Sequence, residues 1–104
     1  MIEGNYSLVD LEAVKVRFFS HNDESAFFEW VEKIPSVKDC KGKGLSIFLS
    51  INNDEINEYD LRELISLFWR YGISMKQLSI FDREPFSHWF RDENAYWFVK
   101  VFGE

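Results

Sequence analysis

The sequence is poor in the residues that most often build metal, disulfide and catalytic sites. It has one cysteine and two histidines in 104 residues, so Cys40 has no internal disulfide partner and a metal site lacks ligands. No stretch approaches the roughly 18 to 20 apolar residues of a membrane span. The N-terminal residues have no apolar run of signal-peptide length. We therefore expect one globular domain over 1–104, cytoplasmic, with no metal, cofactor or membrane partner.

The charge balance is acidic. Eighteen Asp and Glu stand against twelve Lys and Arg, for a net charge of −6. Phosphate backbones attract basic surfaces, so a nucleic-acid partner is not expected. A basic protein partner is compatible with this charge, because an acidic surface would speed their encounter. Moderate negative charge also keeps a small protein soluble, which leaves the simpler explanation open.

Aromatic residues are abundant. Eleven Phe, four Trp and four Tyr make up 18% of the chain. Protein–protein interfaces are enriched in aromatic side chains, which supply large rigid contact areas. The composition therefore favours recognition over catalysis.

The first half of the chain predicts two strands and a helix. Alternating apolar residues predict a half-buried strand over 13–20. Apolar residues at helical spacing predict a helix over 23–34, which Pro35 ends. A polar, glycine-bearing connection is expected over 36–44. The nearly continuous apolar run over 45–51 predicts a central strand buried on both faces.

The second half predicts one more helix and two strands. The helix spans 57–71, with Asn57 as its N-terminal cap. A short strand is expected over 77–81, and a turn or single helical turn within 85–91. Aromatic and β-branched residues predict a last strand over 95–102, although a short apolar run of this kind also fits a helix.

This order of elements predicts an α+β (mixed α/β) fold. Two strand–helix–strand units would place parallel neighbours in the sheet and both main helices on one face. The last strand would pair antiparallel after its turn. We expect a three-to-four-stranded mixed sheet, with the first strand at an edge because of its alternating charges.

The sequence contains no recognisable catalytic motif. Its two Ser-His pairs are only sequence neighbours, whereas catalytic geometry is assembled across a fold. Cys40 lies among Lys38, Lys41 and Lys43, which could lower its thiol pKa and make it reactive. That possibility, together with the two histidines His21 and His88, is the whole basis for an enzymatic alternative, and we expect a protein that is not an enzyme.

An acidic segment at 54–63 holds five carboxylates in ten residues, with Arg62 as the sole base. A helix N-terminus attracts acids, which explains Glu58 and Asp60 without any partner. The alternative is a docking surface for a basic protein. Its candidate residues are Asp54, Glu55, Glu58, Asp60 and Glu63. A second acidic region that could serve instead comprises Asp82, Glu84, Asp92 and Glu93.

Several rings are not accounted for by strand or helix periodicity. Open-faced sheets leave side chains exposed, and an exposed aromatic patch marks an interface. A lid formed by 82–94 would bury these rings instead. The candidate partner-binding rings are Trp69, Trp89, Tyr96 and Phe98.

The segments LRELISLFWRYGISMKQLSIF and HWFRDENAYWFVKVFGE carry a resemblance across residues 58–104. Their helix followed by an aromatic tail resembles small bacterial immunity proteins of polymorphic toxin systems, including contact-dependent growth inhibition. The resemblance implies a cytoplasmic protein that binds one cognate toxin domain, commonly a nuclease, and blocks it. The family has no fixed functional residues to transfer to this chain.

Two functions follow from these observations. The first is a non-enzymatic immunity protein that neutralises a basic toxin domain through an acidic, aromatic surface, as a monomer or homodimer. The second is a small homo-oligomeric structural or regulatory protein whose open sheet face pairs with itself.

Overall fold

The chain folds into a three-stranded antiparallel sheet and several helices. The computed structural model describes residues 7–103. The strands are β1 (Leu8–Val14), β2 (Val37–Lys43) and β3 (Ser46–Asn52). The helices are α1 (His21–Glu32), α2 (Glu58–Tyr71), a 3₁₀ helix (Met75–Phe81), α3 (Ser87–Phe90) and α4 (Phe98–Phe102). The α+β class is therefore confirmed. Over residues 7–103, no helix is both long enough and apolar enough to cross a membrane.

The sheet is antiparallel throughout, in the order β1–β3–β2. The central place of β3 and the edge place of β1 are confirmed, but the predicted parallel pairing is wrong. Residues 36–44 contain β2 instead of a connection, and the two-residue turn Gly44-Leu45 leads directly into β3. Gly44 has a φ of 61°, a conformation that suits glycine in a tight hairpin. A hairpin this short can join only antiparallel strands.

The first strand begins and ends earlier than the predicted 13–20. It ends at Val14, where Lys15 takes a positive φ of 54°. Leu11 and Ala13 face the core, opposite Leu49 and Ile47 of β3. Val14 is the exposed last residue of this strand. The predicted range therefore overlaps the strand only at its last two residues, 13 and 14.

The outward face of the sheet is mainly polar. Its central row pairs Glu12, Phe48 and Lys41 across the three strands, and paired residues share one face. Phe48 is half-buried there, and the carboxylates of Glu12 and Asp10 accept hydrogen bonds from serine hydroxyls of β3. The candidate rings of the C-terminal segment, Tyr96 and Phe98, do not lie on this face of the sheet, because the segment that carries them is not a strand.

The helix α2 forms where the sequence predicts it. The Asn57 side chain accepts the N–H of Asp60 at 2.8 Å, and Gly72 ends the helix in the left-handed conformation, with φ 67°. Both are local capping interactions. The helix α1 has a cap of the same kind: the hydroxyl of Ser20 accepts a hydrogen bond from the N–H of Asp23.

The two predicted C-terminal strands are wrong. Residues 77–81 belong to the 3₁₀ helix, whose buried side chains Met75, Leu78 and Phe81 recur every three residues. This spacing matches the three residues per turn of a 3₁₀ helix. Within 95–102, buried Trp97 and Val101 are four residues apart, as on an α-helical face. The helical alternative for this run is therefore the correct one, and the sheet has no fourth strand in the described chain.

Rings join α1 to the C-terminal end of α2. Buried Phe27 contacts Phe18, Phe28 and Tyr71 edge-to-face, with its centroid 5.0 Å from that of Tyr71. Burial raises the pKa of the Tyr71 hydroxyl. The carboxylate of Asp23 raises this pKa further, through its negative charge and by accepting a hydrogen bond from the hydroxyl. Tyr71 therefore stays neutral as part of this core.

The outer edge of β1 is covered by a side chain. Gln77 of the 3₁₀ helix accepts the Glu12 N–H at 2.7 Å through Oε1. Its Nε2 donates to the carbonyls of Glu12 and Ser74, each at 2.9 Å. The amide thus acts as a one-residue substitute for a neighbouring strand.

Replacing Gln77 by alanine is expected to lower the free energy of unfolding by about 1–2 kcal/mol, because it leaves both Glu12 backbone groups without their partner. Urea denaturation measures the loss. Ser79→Ala, at an exposed position of the same 3₁₀ helix, is the matched control. Equal stability of the two variants would show that the edge contact contributes nothing.

Candidate functional site

A groove of about 480 Å³ lies against the outward side of α2. We call it the α2 groove; its lining residues are Trp30, Glu63, Ser66, Trp69, Arg70 and Tyr96. Spacings of three and four residues place the α2 members on one side of the helix. Trp30 comes from α1, and Tyr96 from the turn before α4. Three of the predicted site residues, Glu63, Trp69 and Tyr96, are thus brought together.

Two exposed rings form one wall of the groove. Trp69 and Tyr96 are 45% and 50% exposed, and their rings meet edge-to-face with centroids 5.0 Å apart. The Tyr96 hydroxyl is 3.3 Å from Ser66 Oγ, and Lys100 Nζ is 5.5 Å from the Trp69 centroid. These contacts fix the rings while leaving much of their area accessible to a partner.

The carboxylate of Glu63 lies in the same groove, half-buried. The indole N–H of Trp30 donates to Glu63 Oε1 at 2.8 Å. Trp30 is half-buried and reaches Glu63 across 33 positions of sequence. No local pattern reveals a contact at that separation.

The other predicted acids lie at the opposite end of α2. Asp54 accepts the Ser7 N–H at 3.3 Å, Glu55 pairs with Lys38 at 2.7 Å, and Glu58 pairs with Arg62 at 2.8 Å. A helix rises 1.5 Å per residue, so Glu58 is about 16 Å along the axis from Trp69. The acidic segment and the rings are therefore separate parts of one surface.

Asp60 is not part of that surface. It is 1% exposed, and its Oδ2 accepts the backbone N–H of Ser36, which is also buried, at 3.1 Å. The Asp60 carboxylate thus gives the buried N–H of Ser36 a hydrogen-bond acceptor inside the protein. We therefore remove Asp60 from the predicted docking residues.

Trp89 and Phe98 lie outside the groove lining. Trp89 is half-buried beneath Arg62, whose guanidinium carbon is 4.0 Å from the ring centroid. Phe98 is half-buried beside Phe102. Segment 82–94 packs its rings into the core: Phe86 and Phe90 are buried. In the second acidic region, Asp82 is paired with Arg91 at 2.8 Å.

The surroundings of Cys40 disfavour a reactive thiolate. Burial raises the pKa of the Cys40 thiol, and the carboxylates of Asp39 and Glu32 raise it further. The neighbouring lysines do not produce the lowering that the sequence suggests, since Lys38 and Lys41 pair with carboxylates. Among residues 7–103, no three His, Cys, Asp or Glu side chains cluster as a metal site requires.

Alkylation of Cys40 by iodoacetamide at neutral pH is expected to be several-fold slower in the folded protein than in urea. The thiolate is the reacting form, and a raised pKa lowers its population below the folded pKa. The half-maximal rate should accordingly move to higher pH in the folded chain. A folded protein that reacts faster than the unfolded chain at neutral pH would contradict this result.

No family model matches this chain, and no curated protein or solved structure is significantly similar to it. The function is therefore inferred from the groove and its chemistry.

Proposed function

We propose that this chain is a non-enzymatic binding protein that docks a partner protein on the α2 groove. The observation that carries the proposal is the pair of exposed rings, Trp69 and Tyr96, held edge-to-face at the groove wall. Binding energy at protein interfaces concentrates in a few aromatic and arginine side chains in well-packed pockets. The rings need no induced rearrangement to be available, since neighbouring side chains already position them.

The resemblance of residues 58–104 to immunity proteins suggests the class of partner. In this proposal the chain is cytoplasmic and neutralises a cognate bacterial toxin domain, a nuclease whose active site is basic because it binds phosphate. The net charge of −6 and exposed Asp54, Glu55 and Glu58 accelerate the encounter over a long range. The rings then slow dissociation through short-range contacts.

Self-association through the open sheet face is the competing function, and the polar residues of that face argue against it, since Glu12 and Lys41 flank Phe48 in its central row. The two sheet edges also disfavour pairing with another strand. The β2 edge carries exposed Lys38, Lys41 and Lys43, and lysines at an edge discourage pairing with another strand. The β1 edge is occupied in part by Gln77. We therefore expect a monomer that binds a different protein.

Co-expression with the product of the neighbouring reading frame tests the proposal. If that product is a toxin, this chain should restore growth and co-purify with it in a stoichiometric complex. Light scattering of the free chain should give the monomer mass. A tight homodimer, or a toxin that remains active and unbound, would contradict the proposed function.

A further inference from the structure

The carboxylate of Glu63 has no cationic partner within residues 7–103. The ion pairs of the described chain involve Glu55 and Glu58 but not Glu63. Its Oε1 accepts the Trp30 indole N–H, which orients the group. Oε2 accepts no hydrogen bond from the described residues. A half-buried anion has lost part of its hydration, and a bound cation would compensate for that loss.

The rings beside this carboxylate also favour a cation. A guanidinium can stack on an aromatic face and at the same time donate two parallel hydrogen bonds to a carboxylate. An ammonium lacks that planar fork. The chain itself uses this stacking contact at the residue before Glu63, where the guanidinium carbon of Arg62 lies 4.0 Å from the centroid of the Trp89 ring. The combination of Glu63, Trp69 and Tyr96 thus matches an arginine side chain.

We propose that the α2 groove is a receptor for one arginine side chain of the partner protein, bound between the Glu63 carboxylate and the rings of Trp69 and Tyr96. This inference rests on the proposed function and specifies the partner's chemistry. The groove has a volume of about 480 Å³ and is open to solvent, so an arginine side chain can enter it from the protein surface.

Arg70 is a second charged residue of the groove lining. It is seven residues from Glu63, which is about 10 Å along the helix axis. No ion pair joins the two side chains in the described chain. Arg70 therefore fits an acceptor group of the partner, such as a carbonyl oxygen, next to the inserted arginine.

Titration with N-acetyl-arginine methylamide, followed through the indole ¹⁵N–¹H signals, tests the receptor directly. The signals of Trp30 and Trp69 should move in a saturable way, with a dissociation constant on the order of 1–10 mM for a ligand of this size. The citrulline analogue has the same shape without the charge and should bind at least about tenfold more weakly. The lysine analogue should bind more weakly than arginine.

Glu63→Gln supplies the matched variant, because a glutamine oxygen can still accept the Trp30 N–H. It should weaken arginine binding at least about tenfold. Glu84→Gln, at an exposed loop position, should leave binding unchanged. The inference is overturned if no saturable change occurs by about 50 mM, if citrulline or lysine binds as well as arginine, or if Glu63→Gln binds normally. Co-purification with a toxin in spite of such a result would leave the proposed function standing.

Discussion

Replacing Phe27 by alanine is expected to lower the free energy of unfolding by about 3–5 kcal/mol. Phe27 is 0% exposed and contacts Phe18, Phe28 and Tyr71 at centroid distances of 5.5, 5.1 and 5.0 Å. Its removal leaves a cavity bounded by rings from α1, α2 and the segment after β1. Rings are rigid, so this space cannot close without moving those elements.

Phe19 provides the matched control for this loss. It is 81% exposed, and Phe19→Ala should change the free energy of unfolding by no more than about 0.5 kcal/mol. Urea denaturation of both variants measures the contrast. Similar losses in the two would show that the ring cluster does not connect α1 to α2 as described.

The second large effect is expected at the groove. Trp69→Ala should weaken binding of the partner by about 30-fold or more, as interface anchors do when truncated. The change removes a large contact area and the ring against which Tyr96 packs. The free energy of unfolding should fall by only about 1 kcal/mol, because Trp69 is already 45% exposed.

Calorimetric titration of the proposed partner, a toxin domain, into each variant measures this effect. Tyr59→Ala is the control, since Tyr59 is exposed on α2 but does not line the groove. Its affinity should match that of the unaltered chain. If Tyr59→Ala weakens binding and Trp69→Ala does not, the docking surface lies elsewhere on the helix.

The sequence predicts α2 well because the signals that form it are local. Asn57 caps the first turn, Gly72 ends the last, and the apolar positions between them repeat at helical spacing. The central strand β3 is also predicted, since its apolar run is continuous. These features depend on neighbours within a few positions along the chain.

The missed elements depend on strand pairing and packing that the residue pattern does not show. The strand β2 is polar and mostly exposed, so its sequence resembles a loop; pairing with β3 makes it a strand. The runs at 77–81 and 95–102 contain residues that favour strands, yet they lie beyond the sheet and pack as helices. A predicted helical alternative for the latter run shows that the sequence is ambiguous there.

The sequence predicts three of the residues that line the groove, but not that they lie together. Glu63, Trp69 and Tyr96 stand out as unexplained charge and rings. The contacts that join them with Trp30 and Ser66 span about thirty positions, which no local spacing encodes. Burial of Asp60 is likewise invisible in the sequence, because its partner is the backbone of Ser36.

The most direct test is to map the bound partner on the isotope-labelled chain by NMR. The four tryptophans supply separate indole signals, and the amides of Leu49 and Ile51, buried in β3, serve as the interior reference. Binding should shift the indole signals of Trp30 and Trp69 together with the amides around Ser66 and Tyr96, and leave the amides of Leu49 and Ile51 in place. Shifts confined to residues 54–58 or to β2, with Trp30 and Trp69 unchanged, would contradict docking at the α2 groove.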